Sequence, residues 1–146
     1  WFEQLKTDET KSYWIIEADQ KAIGVSYVYD IDMKNLKASW GFYVVDQKAR
    51  RSGVGYYVEI FMLYFAFEHL KLNRLTCEVL AENSAVWRMH EKIGFTREGF
   101  FRSHIRKKEG YHDVVHLALL RDEWLTAKQT HMERLGARNQ IIPDFS

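Results

Sequence analysis

Hydrophobic and polar positions change rhythm several times along this chain, and each change predicts a different element. Tyr13-Trp14-Ile15-Ile16 is dense in strand formers, Asp19-Gln20-Lys21 reads as a polar turn, and Ala22 to Ile31 resumes with β-branched and aromatic residues. A second polar turn, Asp32 to Asn35, leads into Leu36 to Val45, which ends in the apolar run Trp40-Gly41-Phe42-Tyr43-Val44-Val45. Together these predict a three-strand meander. Ahead of it, Trp1, Phe2 and Leu5 stand at helical spacing and predict the tail of a helix.

The rhythm then lengthens. Val58, Phe61, Met62, Phe65, Ala66 and Leu70 recur three and four apart, the signature of a long helix facing a core, directly after the glycine-containing segment Arg50 to Gly55. Leu75 to Leu80 is a short apolar strand. Ser84 to Lys92 predicts a second helix with Val86, Met89, His90 and Ile93 on one face and Gly94 as its stop. Phe95 to Ile105 and Tyr111 to Leu119 predict a hairpin across Lys107-Lys108-Glu109-Gly110. From Asp122 through Trp124, Leu125 and Lys128 to Gly136 the pattern is helical, and Asn139 to Ser146, with the only proline, reads as a loose end. The sum is one α/β (α+β) domain over residues 1–146, with about 121–146 as C-terminal helix and tail. Its sheet should be mixed and mostly antiparallel, with helices on both faces.

Composition narrows the chemistry. Hydrophobic residues make up 47% of the chain and aromatics 15%, enough to build a core and to disfavour disorder. Twenty-one basic residues against twenty acidic leave a charge of +1, so no global field draws nucleic acid or an anionic membrane, and any anion site must be local. Cys77 is the only cysteine, which excludes an internal disulfide, argues against a zinc site and fits a reducing cytoplasm. No apolar run approaches the roughly 20 residues that span a bilayer.

One segment carries a specific physical signal. Arg50-Arg51-Ser52-Gly53-Val54-Gly55 lies between an apolar strand and a helix start. Unpaired N–H groups and the helix dipole favour an anion there, glycine allows close approach, and arginines add charge-assisted bonds, so the segment is a candidate pyrophosphate cradle. A strand-to-helix turn with solvated arginines is the competing reading. The Gly-Lys-Ser/Thr ending of a P-loop and the three-glycine dinucleotide fingerprint are both absent, which disfavours ATP and NAD.

With Val45 before this loop, Asn83 after the next strand and Gly94-Phe95 after the second helix, the arrangement resembles the GNAT acetyltransferase superfamily over nearly the whole chain. Four blocks, Trp40-Gly41-Phe42-Tyr43, Cys77 to Asn83, Glu91-Lys92-Ile93-Gly94-Phe95 and Gly110 to Val115, look like the branch of UDP-4-amino-4,6-dideoxy-N-acetyl-β-L-altrosamine N-acetyltransferases of pseudaminic acid synthesis and flagellin modification. That pattern has a further strand and helix ahead of Trp1.

The resemblance implies acetyl-CoA as co-substrate and a UDP-linked amino sugar as acceptor, in a cytoplasmic enzyme that leaves a homodimer open and needs no metal. It implies that the main chain of Tyr43, Val44 and Val45 pairs with the pantetheine arm. Arg50, Arg51, Ser52, Gly53, Val54, Gly55 and Tyr56 would hold the pyrophosphate, and Asn83, which reads equally as a helix cap, would touch CoA. Glu78 resembles a base acting through water; a solvent-facing residue or a partner of Arg74 is the plainer reading.

Where the superfamily has a thiolate-protonating tyrosine, this chain has His90, a candidate acid that a buried core histidine would equally explain. Tyr27, Tyr29, Phe100, Phe101, Arg102, His104 and Arg106 could line an acceptor pocket, although strand alternation allows at most half of them on one face. Cys77 reads as a buried strand residue. The alternatives are an acetyltransferase of ribosomal-protein N-termini and a non-catalytic acyl-CoA-binding domain.

Overall fold

The structure, a computed structural model, describes residues 2–137, with side chains described from residue 9 onward. Strands β2 (Lys11–Ala18), β3 (Lys21–Asp32) and β4 (Lys37–Val44) form the predicted meander. Its first turn is a two-residue hairpin with Asp19 and Gln20 both at positive φ, the geometry that suits the right-handed twist of the flanking strands. The second is held by the Asp32 carboxylate, which accepts from the Lys34 and Asn35 amides and the Asn35 side chain.

Residues Phe2–Asp8 are not helical. They form β1, antiparallel to β2, with a register shift between Gln4 and Lys6. A bulge inserts one residue into the two-residue period, so the alternation that marks a strand is interrupted in this segment. Trp1 and Asn139–Ser146 lie outside the described residues.

After β4 come a short helix α1 (Gln47–Arg51), the main helix α2 (Val54–Tyr64) with a π-helical extension Phe65–His69, strand β5 (Arg74–Leu80) and helix α3 (Ser84–Ile93). Strands β6 (Thr96–Lys107) and β7 (Gly110–Leu120) make the closing hairpin, and α4 runs from Arg121 to Gly136. The sheet order is β1-β2-β3-β4-β5-β7-β6, antiparallel except for the central β4–β5 pair.

The long helices share one face of this sheet, rather than dividing between two as predicted. Trp14 packs edge-on against Phe61 and Phe65, which belong to α2 and its extension. Trp40, on the same side of the sheet through the pairings Trp14↔Ser26 and Val28↔Trp40, packs on His90 of α3. Helix α4 stacks Trp124 on Phe67 and bonds His131 to Tyr56 and the Ile93 carbonyl. The other face carries Tyr13, Tyr27 and Tyr29, ring beside ring and half-buried. Aromatic rings with polar tips fit such a surface, because they bury ring area and keep a hydroxyl at the water boundary.

Candidate functional site

The two parallel strands at the centre of the sheet pair over three residues only, Lys37–Ser39 with Arg74–Thr76. The Ser39 and Thr76 hydroxyls, 2.8 Å apart, close the last rung. Beyond it β4 continues to Val44 and β5 to Leu80, each paired only on its outer side. A gap therefore opens in the middle of the sheet.

Backbone alternation identifies which groups face that gap. The Val45 N–H donates to the Ile23 carbonyl at 2.8 Å, and the β3–β4 register runs unbroken from Gly24↔Val44 to Tyr29↔Ser39. Tyr43 and Gly41 must then bond to β3 as Val45 does, while the N–H and C=O groups of Trp40, Phe42 and Val44 point toward β5. Of the trio Tyr43, Val44 and Val45, only Val44 presents its main chain to the gap, and Phe42 joins it. The Val45 carbonyl is also occupied, by Arg50 Nη2 at 3.1 Å. Gly24 keeps β3 tight on this end of β4: a Cβ there would lie 2.2 Å from the Tyr43 carbonyl oxygen.

Beside the open end stands the start of α2. Asp46 caps α1 by accepting from the Ala49 amide, an interaction that holds its carboxyl below the usual range. Arg50 and Arg51 therefore close a short helix instead of lying in a loop. Gly53, at φ 84, turns the chain out of α1 and serves as N-cap of α2 without a side-chain cap. The first turn of α2 has no acidic residue, whereas Lys48, Arg50 and Arg51 crowd the end of α1. The helix start thus combines free amide donors, a positive dipole end and basic side chains. A Cβ on Gly53 would meet nothing within 4 Å, and one on Gly55 would touch the Phe42 ring and the Met89 side chain at 3.5 Å. The start of α2 thus lies against the Phe42 ring of β4 and the Met89 side chain of α3. Ser52 Oγ donates to the Ala49 carbonyl, and the Tyr56 hydroxyl bonds His131. Asn83 is the N-cap of α3 by position, but its side chain makes no capping bond and is exposed.

The two proposed acid–base residues lie on opposite faces of the sheet. On the helix side His90 is 2% exposed, its Nδ1 2.7 Å from Oε1 of Glu59, between the Trp40 and Phe95 rings. Glu59, wholly buried, has its other oxygen unpaired, and burial pushes its carboxyl up. Cys77 is buried beside them; desolvation, with the Glu59 and Glu78 carboxylates, holds its thiol well above the ordinary value, so it is no ready nucleophile.

On the open face Glu78 lies 3.6 Å from His104 Nε2 and 3.7 Å from His116 Nδ1. Arg74 pairs with Glu98, so the plainer reading of Glu78 as its partner fails. Burial, then Glu78 and Tyr27, raises the Tyr29 hydroxyl, which places that ring in the same cluster. Phe101 packs against His104 and His116 at 5.1 and 5.3 Å. Of the seven pocket candidates, Tyr27, Tyr29, Phe101 and His104 gather here; Phe100 is 57% exposed and Arg102 and Arg106 are exposed on the hairpin. A register shift between Phe101 and Ile105 redirects His104, which alternation alone does not foresee. Glu59 and His116 were not singled out from sequence; an acid inside the apolar block Val58 to Leu63 was the available signal for the first. Among the described residues no group of His, Cys, Asp or Glu is gathered as for a metal ion, and no helix is long and apolar enough to cross a membrane.

A mixed sheet parted at its central parallel pair, with an uncapped helix N-terminus nearby, defines an acyl-CoA N-acyltransferase scaffold. The chain belongs to the acetyltransferase (GNAT) domain family, whose model matches residues 1–96. It is 31% identical over 123 residues to the SPbeta prophage-derived uncharacterized N-acetyltransferase YokL of Bacillus subtilis (strain 168), covering 84% of this chain and 68% of that protein. It is 29% identical over 93 residues to acetyltransferase PseH of Campylobacter jejuni, 64% of this chain and 56% of that protein. Among solved structures, spermidine N-acetyltransferase from Vibrio cholerae in complex with CoA and spermine superposes with a TM-score of 0.75 at 19% identity, over 80% of this chain and 69% of that one, a likeness of fold.

Proposed function

We propose that the chain moves an acetyl group from acetyl-CoA directly to a primary amine. The observation that carries this reading is the parting of β4 from β5 beside the uncapped start of α2. The amides at Val54 and Gly55, with Arg50 and Arg51, would hold the diphosphate, and Asn83 a further part of CoA. The gap-facing main chain of Phe42 and Val44 would pair with the pantetheine arm, as a missing strand would. Acetyl-CoA supplies an activated acyl carbon whose oxygen gains negative charge as the amine attacks. A free backbone N–H in the gap is oriented before reaction, the arrangement that stabilises such charge most.

Glu78, about one-third exposed, would receive the amine's proton through water, with His104 and His116 as adjacent relay groups. His90, on the other face, would protonate the departing sulfur. The preferred acceptor is the 4-amino group of a UDP-linked 4-amino-4,6-dideoxy-N-acetyl-altrosamine, supported by the four sequence blocks that resemble that branch. The aromatic cluster Tyr27, Tyr29 and Phe101 offers faces on which a base or sugar can stack.

The test is release of free CoA from acetyl-CoA, followed by a thiol reagent, with the UDP-amino sugar and with peptides bearing ribosomal N-termini. Turnover with the sugar alone is expected. Preference for the peptides overturns the acceptor, and binding of acetyl-CoA without turnover on either overturns the enzyme in favour of an acyl-CoA-binding domain.

A further inference from the structure

We propose that Glu59 is a positioning residue that lets His90 carry a transferable proton on Nε2, so that a histidine performs the protonation of the leaving sulfur; this rests on the reading of the gap as the acetyl-CoA slot. The geometry is a closed pair. Glu59 Oε1 and His90 Nδ1 are 2.7 Å apart, and their side chains are 0% and 3% exposed. The rest of the box is apolar or weakly polar: the Trp40 ring from β4 at 5.4 Å, Phe95 at 5.5 Å, and the Cys77 thiol from β5. Glu78, which acts on the Cys77 thiol together with Glu59, lies on the far face of the sheet beside His104 and His116. Glu59 Oε2 is itself buried without a hydrogen-bond partner, and the buried Trp40 indole N–H faces the Cys77 thiol.

A net charge in such surroundings is costly, so the pair is held neutral as a unit. Neutrality requires two protons on it: one shared between Oε1 and Nδ1, and one on Nε2. Which partner formally owns the shared proton does not alter this count. An isolated histidine, with a pKa of about 6.5, has mostly lost its second proton at neutral pH, whereas a phenol near 10 keeps its own. Glu59 removes that difference. Because Nδ1 is taken, Nε2 is the nitrogen left to donate.

The pair also sits at the narrow end of the gap. Trp40, against which His90 packs, and Cys77 are the first residues past the last paired rung on their strands. There the amine nitrogen forms its bond to the acyl carbon and the carbon–sulfur bond breaks. Sulfur keeps the bonding electron pair and takes the Nε2 proton, leaving the Glu59 carboxylate bonded by Nδ1–H. That singly negative pair regains a proton from solvent, while the proton lost by the amine leaves through Glu78.

The test needs no variant at first. Nitrogen-15 spectra of the histidines in the intact protein, from pH 6 to 9, should show a hydrogen on His90 Nε2 and a hydrogen-bonded Nδ1 persisting above the pH at which exposed histidines deprotonate. Added CoA should move the Nε2 signal, and adenosine 3′,5′-bisphosphate, which lacks the pantetheine arm, should not. An Nε2 without a proton at pH 8 overturns the proposal, as does bound CoA that leaves the signal in place; failure of CoA to bind removes the slot reading instead.

Glu59→Gln should lower kcat by about 100-fold, pull the alkaline limb of the pH profile to lower pH and leave KM for acetyl-CoA near its original value. His90→Tyr should restore that limb in the Glu59→Gln protein. If Glu59→Gln slows the His90→Tyr protein as much as it slows the parent, Glu59 acts only through packing and the proposal fails.

Discussion

His131 is where single side chains couple the last helix to the start of α2 and the end of α3. Its Nδ1 is 3.0 Å from the Tyr56 hydroxyl on the third residue of α2, and its Nε2 is 3.2 Å from the Ile93 carbonyl at the end of α3. Burial lowers its affinity for a proton, only partly offset by that carbonyl. The unfolded chain then binds a proton more readily than the folded one, so this contribution is fully present above about pH 6.5 and lost as pH falls toward the folded value. Thermal unfolding midpoints should therefore drop between pH 7.5 and 5.5, and His131→Gln should flatten that dependence; an unchanged slope in the variant contradicts the assignment.

Gly24 supports a second expectation at the same scale. A methyl group there meets the Tyr43 carbonyl at 2.2 Å, so Gly24→Ala must push β4 from β3, at a cost of about 1–3 kcal/mol, read in urea unfolding. Sequence alone put His90 on an apolar helix face but could not supply its partner, which lies 31 residues earlier on another element. Residues brought together by packing are invisible to spacing. Glu78 was legible as a strand acid, yet its two histidine neighbours come from β6 and β7, one of them redirected by a bulge.

At the scale of elements, the glycine at the start of α2 separates backbone cost from function. Gly53 and Gly110 both hold positive φ and both would place a Cβ in open space. Alanine at either site should cost about 1–3 kcal/mol of folding stability, because each backbone sits at a positive φ that side chains rarely adopt. Only Gly53→Ala should also weaken acetyl-CoA binding, by isothermal titration, because only Gly53 stands at the helix mouth. Equal affinities for the two variants would remove the anion cradle from the account.

Most of these elements were readable from their rhythm. The meander, both middle helices, the closing hairpin and the C-terminal helix fall within a residue or two of their predicted places, since each has a long, unmixed period. Strand β1 failed for a physical reason: a bulge interrupts the two-residue alternation by which a strand is read. Helix α1 was missed because five residues cannot establish a period; an aspartate cap, not hydrophobic pattern, starts it.

The whole molecule depends on one interruption of its sheet. Apolar strands and a glycine loop predicted that a parallel pair would exist, but no residue announces that pairing stops after Ser39 and Thr76. That follows from β5 continuing with β7 while β3 retains β4 through Gly24. The sidedness of the helices was likewise beyond local pattern, because alternation tells that two faces differ and not what covers each.

The parted strands make a prediction about individual amides, and hydrogen exchange followed by NMR, with and without acetyl-CoA, tests it most directly. The N–H groups of Phe42, Val44, Val54 and Gly55 should exchange faster in the free protein and become protected on binding, while Tyr43 and Val45, already bonded to β3, should change little. Protection confined to other parts of the chain, or none at saturating acetyl-CoA, would contradict the claim that the gap and the start of α2 together hold the thioester.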